Sequence, residues 1–306
     1  MGLPSDHTAV VGAGAEAADW LGERVLRINA ALETHIASRK SAHASHSRLL
    51  AAVEYSVAAG GKRLRPILVL ETCAACGGDD TRAMPAALAV EFVHAFSLVH
   101  DDLPAMDDDD LRRGKPSNHK VYGEALAILA GDWLLAEAFG LLSSDRNGSL
   151  SAAYARALAD GTLGMIEGQA ADIEGQERDV SGSLVEFIHE RKTARLIEAC
   201  CRMGALCADA PPSLQEGLGR YGRHLGRAFQ IADDLLDCTS STEKLGKRTG
   251  KDANASKQTY PEAFGLEQSR ARAEREINQA LKAVAPLGAK GDRLQELARY
   301  VIARES

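Results

Sequence analysis

Two clusters of aspartate interrupt an otherwise apolar sequence, and both have the residue types of a metal site. The first is Asp-Asp-Leu-Pro-Ala-Met-Asp-Asp-Asp-Asp at residues 101–110, and the second is Asp-Asp-Leu-Leu-Asp at residues 233–237. Each adjoins an apolar run, where aspartate is seldom buried without a partner because an uncompensated buried charge is costly. Mg²⁺ prefers carboxylate oxygens and takes substrate phosphates as further ligands. The clusters therefore favour a magnesium–phosphate site over solvated helix ends, which remain the alternative.

Spacing predicts which of these carboxylates meet. Asp233 and Asp237 are four residues apart and so share a helix face, which Gln230 joins. In the first cluster Asp101 ends a predicted helix, and the proline three residues later must disturb the turn that follows. The chain can then bring Asp107 back beside Asp101.

Basic residues provide the components of a second phosphate site. Gly-Gly-Lys-Arg-Leu-Arg-Pro at residues 60–66 places three cations at a predicted helix start. A helix N-terminus attracts anions rather than bases, so this placement suggests a bound anion, with a solvated basic turn as the alternative. Arg112 and Arg113 follow directly on the acidic run, and arginine binds phosphate in a bidentate manner.

Helical periodicity runs through nearly the whole chain. Helices are predicted over residues 47–59, 66–75, 86–103, 123–143, 149–175, 183–208, 213–238, 260–282 and 291–304. The sequence shows no convincing strand alternation, and none of its short polar linkers resembles a domain boundary. The prediction is an all-α fold with one domain over residues 16–306 that follows a flexible segment 1–15. A glycine-rich stretch at residues 10–17 imitates a dinucleotide-binding turn, but a helical pattern follows it instead of a strand.

Composition narrows the class of protein. The 306 residues include 36 Lys and Arg against 43 Asp and Glu, a net charge of −7 that argues against a general nucleic-acid binder. No apolar run is expected to reach the length of a membrane span, and no secretory signal is visible. Cys73 and Cys76 have the spacing of metal ligands, but no second such pair and no paired histidines follow, so all six cysteines are expected to be reduced packing residues. A cytoplasmic protein without stable membrane insertion follows as the expectation.

These motifs together resemble the trans-isoprenyl diphosphate synthase family, and within it the bacterial farnesyl diphosphate synthases. The resemblance extends from about residue 20 to the C-terminus. Six motifs that stand in the family's order carry it: residues 60–66, residues 101–114, Lys192-Thr193, Phe229-Gln230, residues 233–237 and residues 246–252.

The resemblance implies a helical bundle around a deep central pocket, three Mg²⁺ ions, isoprenyl diphosphate substrates and a homodimer. By this resemblance, the metal ligands are Asp101, Asp107 and Asp233, with Asp102 and Asp237 in support. The allylic diphosphate and the reaction centre would contact Arg112, Lys192, Thr193, Gln230 and Lys247. Isopentenyl diphosphate would contact Lys62, Arg65, His94 and Arg113. The implied reaction condenses isopentenyl diphosphate with dimethylallyl and then geranyl diphosphate, giving (2E,6E)-farnesyl diphosphate and diphosphate.

Chain length is expected to depend on Phe96, which lies five residues before Asp101 and so about 7–8 Å deeper along a helix. Its ring would close the bottom of the pocket, whereas Ser97 leaves the neighbouring wall open. Core packing alone is the other interpretation of Phe96. The nearest alternative function is a geranylgeranyl diphosphate synthase.

Three further alternatives fit less well. A class I terpene cyclase would carry an Asn, Ser and Glu set in place of the second aspartate cluster. A His-Asp phosphohydrolase would need another histidine before the pair at residues 100–101. A regulatory subunit of a hetero-oligomeric synthase would usually lack one aspartate cluster, and both are intact here.

Overall fold

Helices form nearly all of the chain in the computed structural model, which describes residues 8–42, 47–143, 150–176, 178–244 and 258–303. The elements are α1 (Thr8–Ala42), α2 (Ser47–Val57), α3 (Leu64–Ala75), α4 (Asp80–Asp101), β1 (Leu111–Arg112), β2 (Lys115–Pro116), α5 (Asn118–Tyr122), α6 (Glu124–Leu142), α7 (Ser151–Gly175), α8 (Gly182–Ile188), a π-helical turn (His189–Ala194), α9 (Arg195–Cys207), α10 (Pro212–Lys244), α11 (Tyr260–Phe264), α12 (Leu266–Val284), a 3₁₀ segment (Ala285–Gly291) and α13 (Asp292–Ala303). The all-α prediction is confirmed.

Observed and predicted elements differ in several places. The helix predicted over residues 183–208 contains the π-helical turn, and the one predicted over 260–282 breaks at Gly265, whose φ of 80° ends α11. The antiparallel hairpin of β1 and β2 was not expected, because strands of two residues leave no alternation to detect. Of the segment 1–15, residues 1–7 lie outside the described residues, and α1 begins at Thr8. Residues 10–17 lie within α1, which contradicts a dinucleotide-binding turn there.

Helix α4 forms the centre of the hydrophobic core. Its side chains are buried almost all round, and α3, α6, α7 and α9 pack against it. Its alanines and valines permit this because small side chains let neighbouring helices approach closely. Packing on every side fixes the position of the C-terminal end of α4, which carries the first aspartate cluster. The six cysteines are all free, and Cys73, Cys200, Cys201 and Cys207 are buried in the packing.

Two helices, α4 and α6, are long and apolar enough to cross a membrane by length and composition alone. The expectation that no segment reaches this length was therefore wrong. In α4, 67% of the apolar window is buried, as in a core helix of a soluble protein, which passes the same test. In α6 only 33% is buried, so this helix presents an apolar face that the described chain does not cover.

Candidate active site

A cavity of about 400 Å³ lies between α4, α7 and the π-helical turn. Its lining combines apolar side chains with charged ones at one end: Arg65, His94, Phe96, Ser97, Leu98, His100, Asp101, Met106, Met165, Ile166, Gln169, Ala170, Ile173, Lys192 and Thr193. We call it the central cavity. It brings together residues from three of the six sequence motifs, at residues 60–66, 101–114 and 192–193. An apolar chamber with a charged mouth suits a ligand with a hydrocarbon chain and an anionic head.

Asp101 and Asp107 meet at the mouth of this cavity. The chain turns after α4 so that the backbone N–H of Asp107 donates to the carbonyl oxygen of Asp101 at 2.9 Å, as the proline-containing turn predicted. The pKa of Asp101 is raised to about 6, mainly by burial, while the charge of Lys192 lowers this pKa and the charge of Asp107 raises it. Carboxylates that repel one another in a partly buried site favour a bound cation. The donor set therefore fits Mg²⁺. Below about pH 6, protonation of Asp101 would oppose the binding of this ion.

Asp102 has a different environment from Asp101. It is 3% exposed and forms an ion pair with the guanidinium of Arg112, which also reaches Asp109 at 3.2 Å. Arg112 is thereby held at the cavity mouth by the acidic run that precedes it. In this arrangement Asp102 orients Arg112. The supporting role of Asp102 at the metal site stays a prediction, and so does the contact between Arg112 and a phosphate.

A group of arginines surrounds His94. Burial lowers the pKa of His94 well below its usual value, and the charges of Arg65, Arg113, Arg63 and Arg112 lower it further. The buried atoms Nδ1 of His94 and Nε of Arg65 have no hydrogen-bond partner among the described residues. Unpaired buried donors beside several positive charges fit an anionic ligand. This is the placement predicted for three of the four isopentenyl diphosphate residues.

Arg113 reaches this group from the turn of the hairpin. Its backbone is left-handed, with φ at 53°, and its guanidinium donates to the carbonyl oxygen of Gly60. Gly61 has a φ of 130°, where a side chain is strained, and a Cβ there would lie 2.6 Å from Nη1 of Arg113 and would displace the guanidinium. The two glycines before α3 therefore give the arginine of a distant hairpin room to contact the start of that helix.

The three bases at the start of α3 separate into different environments. Arg63 is buried and pairs with Glu91 at 2.5 Å, with Asn29 at 2.9 Å as a further acceptor. Lys62 is exposed and lines a separate cavity of about 210 Å³ beside Phe229. Only Arg65 lines the central cavity. The basic cluster is therefore partly structural, which composition alone does not reveal.

Lys192 and Thr193 lie on the π-helical turn, a feature that often occurs at functional sites. Lys192 pairs with Asp172 of α7 at 2.6 Å. A Cβ at Gly168 would lie 2.2 Å from the backbone nitrogen of Lys192, so α7 packs directly against the turn. Sequence reasoning missed Asp172, because its pairing with Lys192 depends on the packing of α7 against the turn.

Helix α10 supplies the second aspartate cluster. The negative charge of Asp233 acts on the pKa of Arg65 in the cavity wall, although burial dominates and lowers that pKa. Gln230 accepts a hydrogen bond from the hydroxyl of Thr193 at 2.8 Å. Asp237 is exposed and lines a groove beside Pro261 instead of the central cavity. Lys247, the remaining predicted residue, lies outside the described residues.

Phe96 lies in the wall of the central cavity, 8% exposed, with its ring edge-on to His100 at 4.9 Å between centroids. Ser97 lines the same cavity, and its hydroxyl donates to the carbonyl oxygen of His94. Nε2 of His100 lies 3.0 Å from the carbonyl oxygen of Ile128 and 3.9 Å from Oδ1 of Asp132. The arrangement fits a ring that limits the depth of the cavity.

Comparisons with known proteins agree with this geometry. The model of the polyprenyl synthetase family matches residues 46–298. The farnesyl diphosphate synthase of Bacillus subtilis is 47% identical over 257 residues, which cover 82% of this chain and 87% of that protein. Geranylgeranyl pyrophosphate synthase 11 of Arabidopsis thaliana, named as chloroplastic, is 46% identical over 267 residues, covering 83% and 74%. The crystal structure of an FPP/GFPP synthase from Zymomonas mobilis superposes with a TM-score of 0.81 at 33% identity, covering 94% and 99%.

Proposed function

Since the chain belongs to the polyprenyl synthetase family and is therefore a trans-prenyl diphosphate synthase, we propose that its product is (2E,6E)-farnesyl diphosphate. In this proposal isopentenyl diphosphate condenses first with dimethylallyl diphosphate and then with geranyl diphosphate, and each step releases diphosphate. The observation that carries the proposal is the central cavity, which joins Asp101 and Lys192 at one end to the Phe96 ring in its apolar wall.

The allylic diphosphate would bind between the two aspartate clusters. Asp101, Asp107 and Asp233 would hold Mg²⁺, with three ions expected, and Asp102 and Asp237 would support them. When bound, Mg²⁺ would supply Lewis-acid stabilisation of the negative charge that develops on the leaving diphosphate. Arg112, Lys192 and Lys247 would contact the same group.

Isopentenyl diphosphate would bind at the arginine group around His94, with Arg65 and Arg113 as its main cationic contacts and Lys62 reaching from the exposed start of α3. His94, whose buried Nδ1 has no hydrogen-bond partner among the described residues, would donate a hydrogen bond to the same diphosphate. The apolar lining would exclude water, which would otherwise trap the allylic cation. Thr193 and Gln230 would lie beside that cation.

The assay that tests this function combines the purified protein with isopentenyl diphosphate, dimethylallyl diphosphate and Mg²⁺. The products are then separated by chain length, and we expect a fifteen-carbon diphosphate. A folded protein that formed no prenyl diphosphate would contradict the reaction. A twenty-carbon main product would instead support the second candidate, a geranylgeranyl diphosphate synthase, which the similar identity of the plant relative favours.

Replacing Phe96 by alanine should lengthen the product to twenty carbons or more, because it removes the ring that limits the cavity. Product analysis of the Phe96→Ala variant under the same conditions measures this. Phe187→Ala is the matched control, since Phe187 is 43% exposed on α8 and does not line the cavity. If Phe96→Ala still made only the wild-type product, Phe96 would not be the floor.

A homodimer is part of the proposal, with residues 16–306 as the folded unit. The exposed apolar side chains of α6 and α7 provide a face for a second copy, among them Leu129 at 51% and Leu163 at 57% exposure. Sedimentation equilibrium should therefore give twice the chain mass of 32.6 kDa, and a monomer mass would contradict this. A cytoplasmic location is proposed from the bacterial relative, and recovery in the membrane fraction of lysed cells would oppose it.

A further inference from the structure

The aspartates of the second cluster have unlike surroundings. Adjacent residues of an α-helix point about 100° apart, so Asp233 and Asp234 of α10 cannot face the same way. Asp233 is partly exposed and acts on Arg65 of the cavity wall, whereas Asp234 is 8% exposed. The side chain of Asp234 is therefore largely buried, and it lines the groove beside Pro261 instead of the central cavity.

Both carboxylate oxygens of Asp234 have partners inside the protein. Oδ2 accepts the backbone N–H of Tyr260 at 2.9 Å and lies 3.0 Å from Nε2 of His189. Oδ1 accepts from Nε2 of Gln230 at 3.2 Å. The donors come from the π-helical turn, from α11 and from α10 itself. Contacts from three elements fix the orientation of this carboxylate.

Because the Asp234 carboxylate is a fixed acceptor, it determines the direction of the hydrogen bonds made by Gln230 and Thr193. An ionised carboxylate can only accept hydrogen bonds, so Gln230 must turn its NH₂ group toward Asp234. The amide oxygen of Gln230 then points the opposite way, 2.8 Å from Oγ1 of Thr193. Because that oxygen also only accepts, Thr193 must donate its single hydroxyl proton to it. The lone pairs of Thr193 Oγ1 are left for other partners, and Thr193 lines the central cavity.

We propose that Asp234 is a positioning residue that sets the direction of the hydrogen-bond chain from Thr193 through Gln230. Thr193 then presents lone pairs instead of a proton to the cation formed in the central cavity. This inference rests on the proposed function, in which cleavage of the allylic carbon–oxygen bond creates that cation. Fixed dipoles aimed at developing charge stabilise a transition state, and a dipole of opposite sense destabilises it.

The isosteric variant Asp234→Asn tests the direction of the chain. Tyr260 and His189 both donate to Oδ2, so the single amide oxygen of the asparagine would occupy that position. The NH₂ group of the asparagine would then face Gln230. The Gln230 amide must then turn over and present NH₂ to Thr193, whose proton would point into the cavity. We expect kcat to fall about 10²-fold, the usual cost of losing one preorganised dipole. The KM values of both substrates and the Mg²⁺ requirement should not change, because ground-state and metal contacts remain.

A second substitution should restore the direction. In Asp234→Asn combined with Gln230→Glu, the NH₂ of residue 234 donates to one glutamate oxygen and Thr193 donates to the other. In this double variant the side chains of residues 230 and 234 together carry one negative charge, as they do in the wild type. We expect kcat of the double variant to exceed both the Asp234→Asn and the Gln230→Glu values by about tenfold or more, since each single variant has mismatched groups. Asp160→Asn, an exposed carboxylate on α7, is the control and should leave kcat unchanged.

The outcomes separate three cases. The positioning role is wrong if Asp234→Asn keeps the wild-type kcat. It is also wrong if Asp234→Asn raises the Mg²⁺ concentration required for activity and the added Gln230→Glu substitution does not restore kcat. If Asp234→Asn does not fold, comparing the kcat of the double variant with that of Gln230→Glu alone tests the same role. A wild-type protein that forms no prenyl diphosphate would remove the proposed function itself, and with it the cation on which this inference depends.

Discussion

Asp101→Ala and Asp233→Ala should each lower turnover about a thousandfold or more at fixed Mg²⁺, because Lewis-acid stabilisation by a metal is worth several kcal/mol and each 1.36 kcal/mol is a factor of ten. Asp101 ends α4 and interacts electrostatically with Lys192 and Asp107, and the charge of Asp233 on α10 acts on Arg65. Each substitution would remove one side of the proposed metal site. Steady-state kinetics with both substrates, repeated over a range of Mg²⁺ concentrations, measures the effect.

Two controls make this result specific. Asp160→Ala removes an exposed carboxylate that pairs with Arg156 on its own helix, and it should retain wild-type turnover. Circular dichroism should show that the two metal-site variants keep their helix content, since neither aspartate is part of the core. Near-normal rates for Asp101→Ala or Asp233→Ala would remove that residue from the metal site.

Glu91→Ala should destabilise the protein by about 3–5 kcal/mol, the usual cost of removing one partner from a buried ion pair. Glu91 and Arg63 have side chains 4% and 3% exposed and lie 2.5 Å apart, so the substitution leaves a guanidinium charge in the core without its carboxylate. The remaining acceptors, Asn29 and the carbonyl oxygen of Val57, are neutral. Urea unfolding followed by circular dichroism gives the change in the free energy of unfolding.

A matched surface pair gives the comparison. Glu54 pairs with Lys40 at 2.8 Å with both side chains at least 40% exposed, so Glu54→Ala should change stability by less than about 1 kcal/mol. Replacing both buried partners, with Arg63→Met and Glu91→Leu together, should recover most of the loss because no unpaired charge is left. Equal effects of Glu91→Ala and Glu54→Ala would show that burial does not govern the strength of this pair.

Local patterns were sufficient for the helices and for the position of the first aspartate cluster. The return of Asp107 to Asp101 was predictable because a proline must interrupt the turn after a helix, and both effects act within a few residues. The placement of Phe96 in the cavity wall was also predictable, since helix geometry relates it directly to Asp101. Expectations failed where elements meet. The π-helical turn, the hairpin and the apolar surface of α6 have no clear local signal.

The sequence by itself determined the all-α class, the two carboxylate clusters and the family to which the chain belongs, because residue periodicity and motif order are properties of neighbouring positions. Only the tertiary structure decided which charges serve which purpose. Glu91 pairs with the buried Arg63, whereas Arg65 lines the central cavity. Asp234 pairs with His189, whereas the charge of Asp233 acts on Arg65. Identical residue types one or two positions apart acquire different roles because helix geometry turns them toward different neighbours. Those neighbours come from distant parts of the chain, and only packing brings them there.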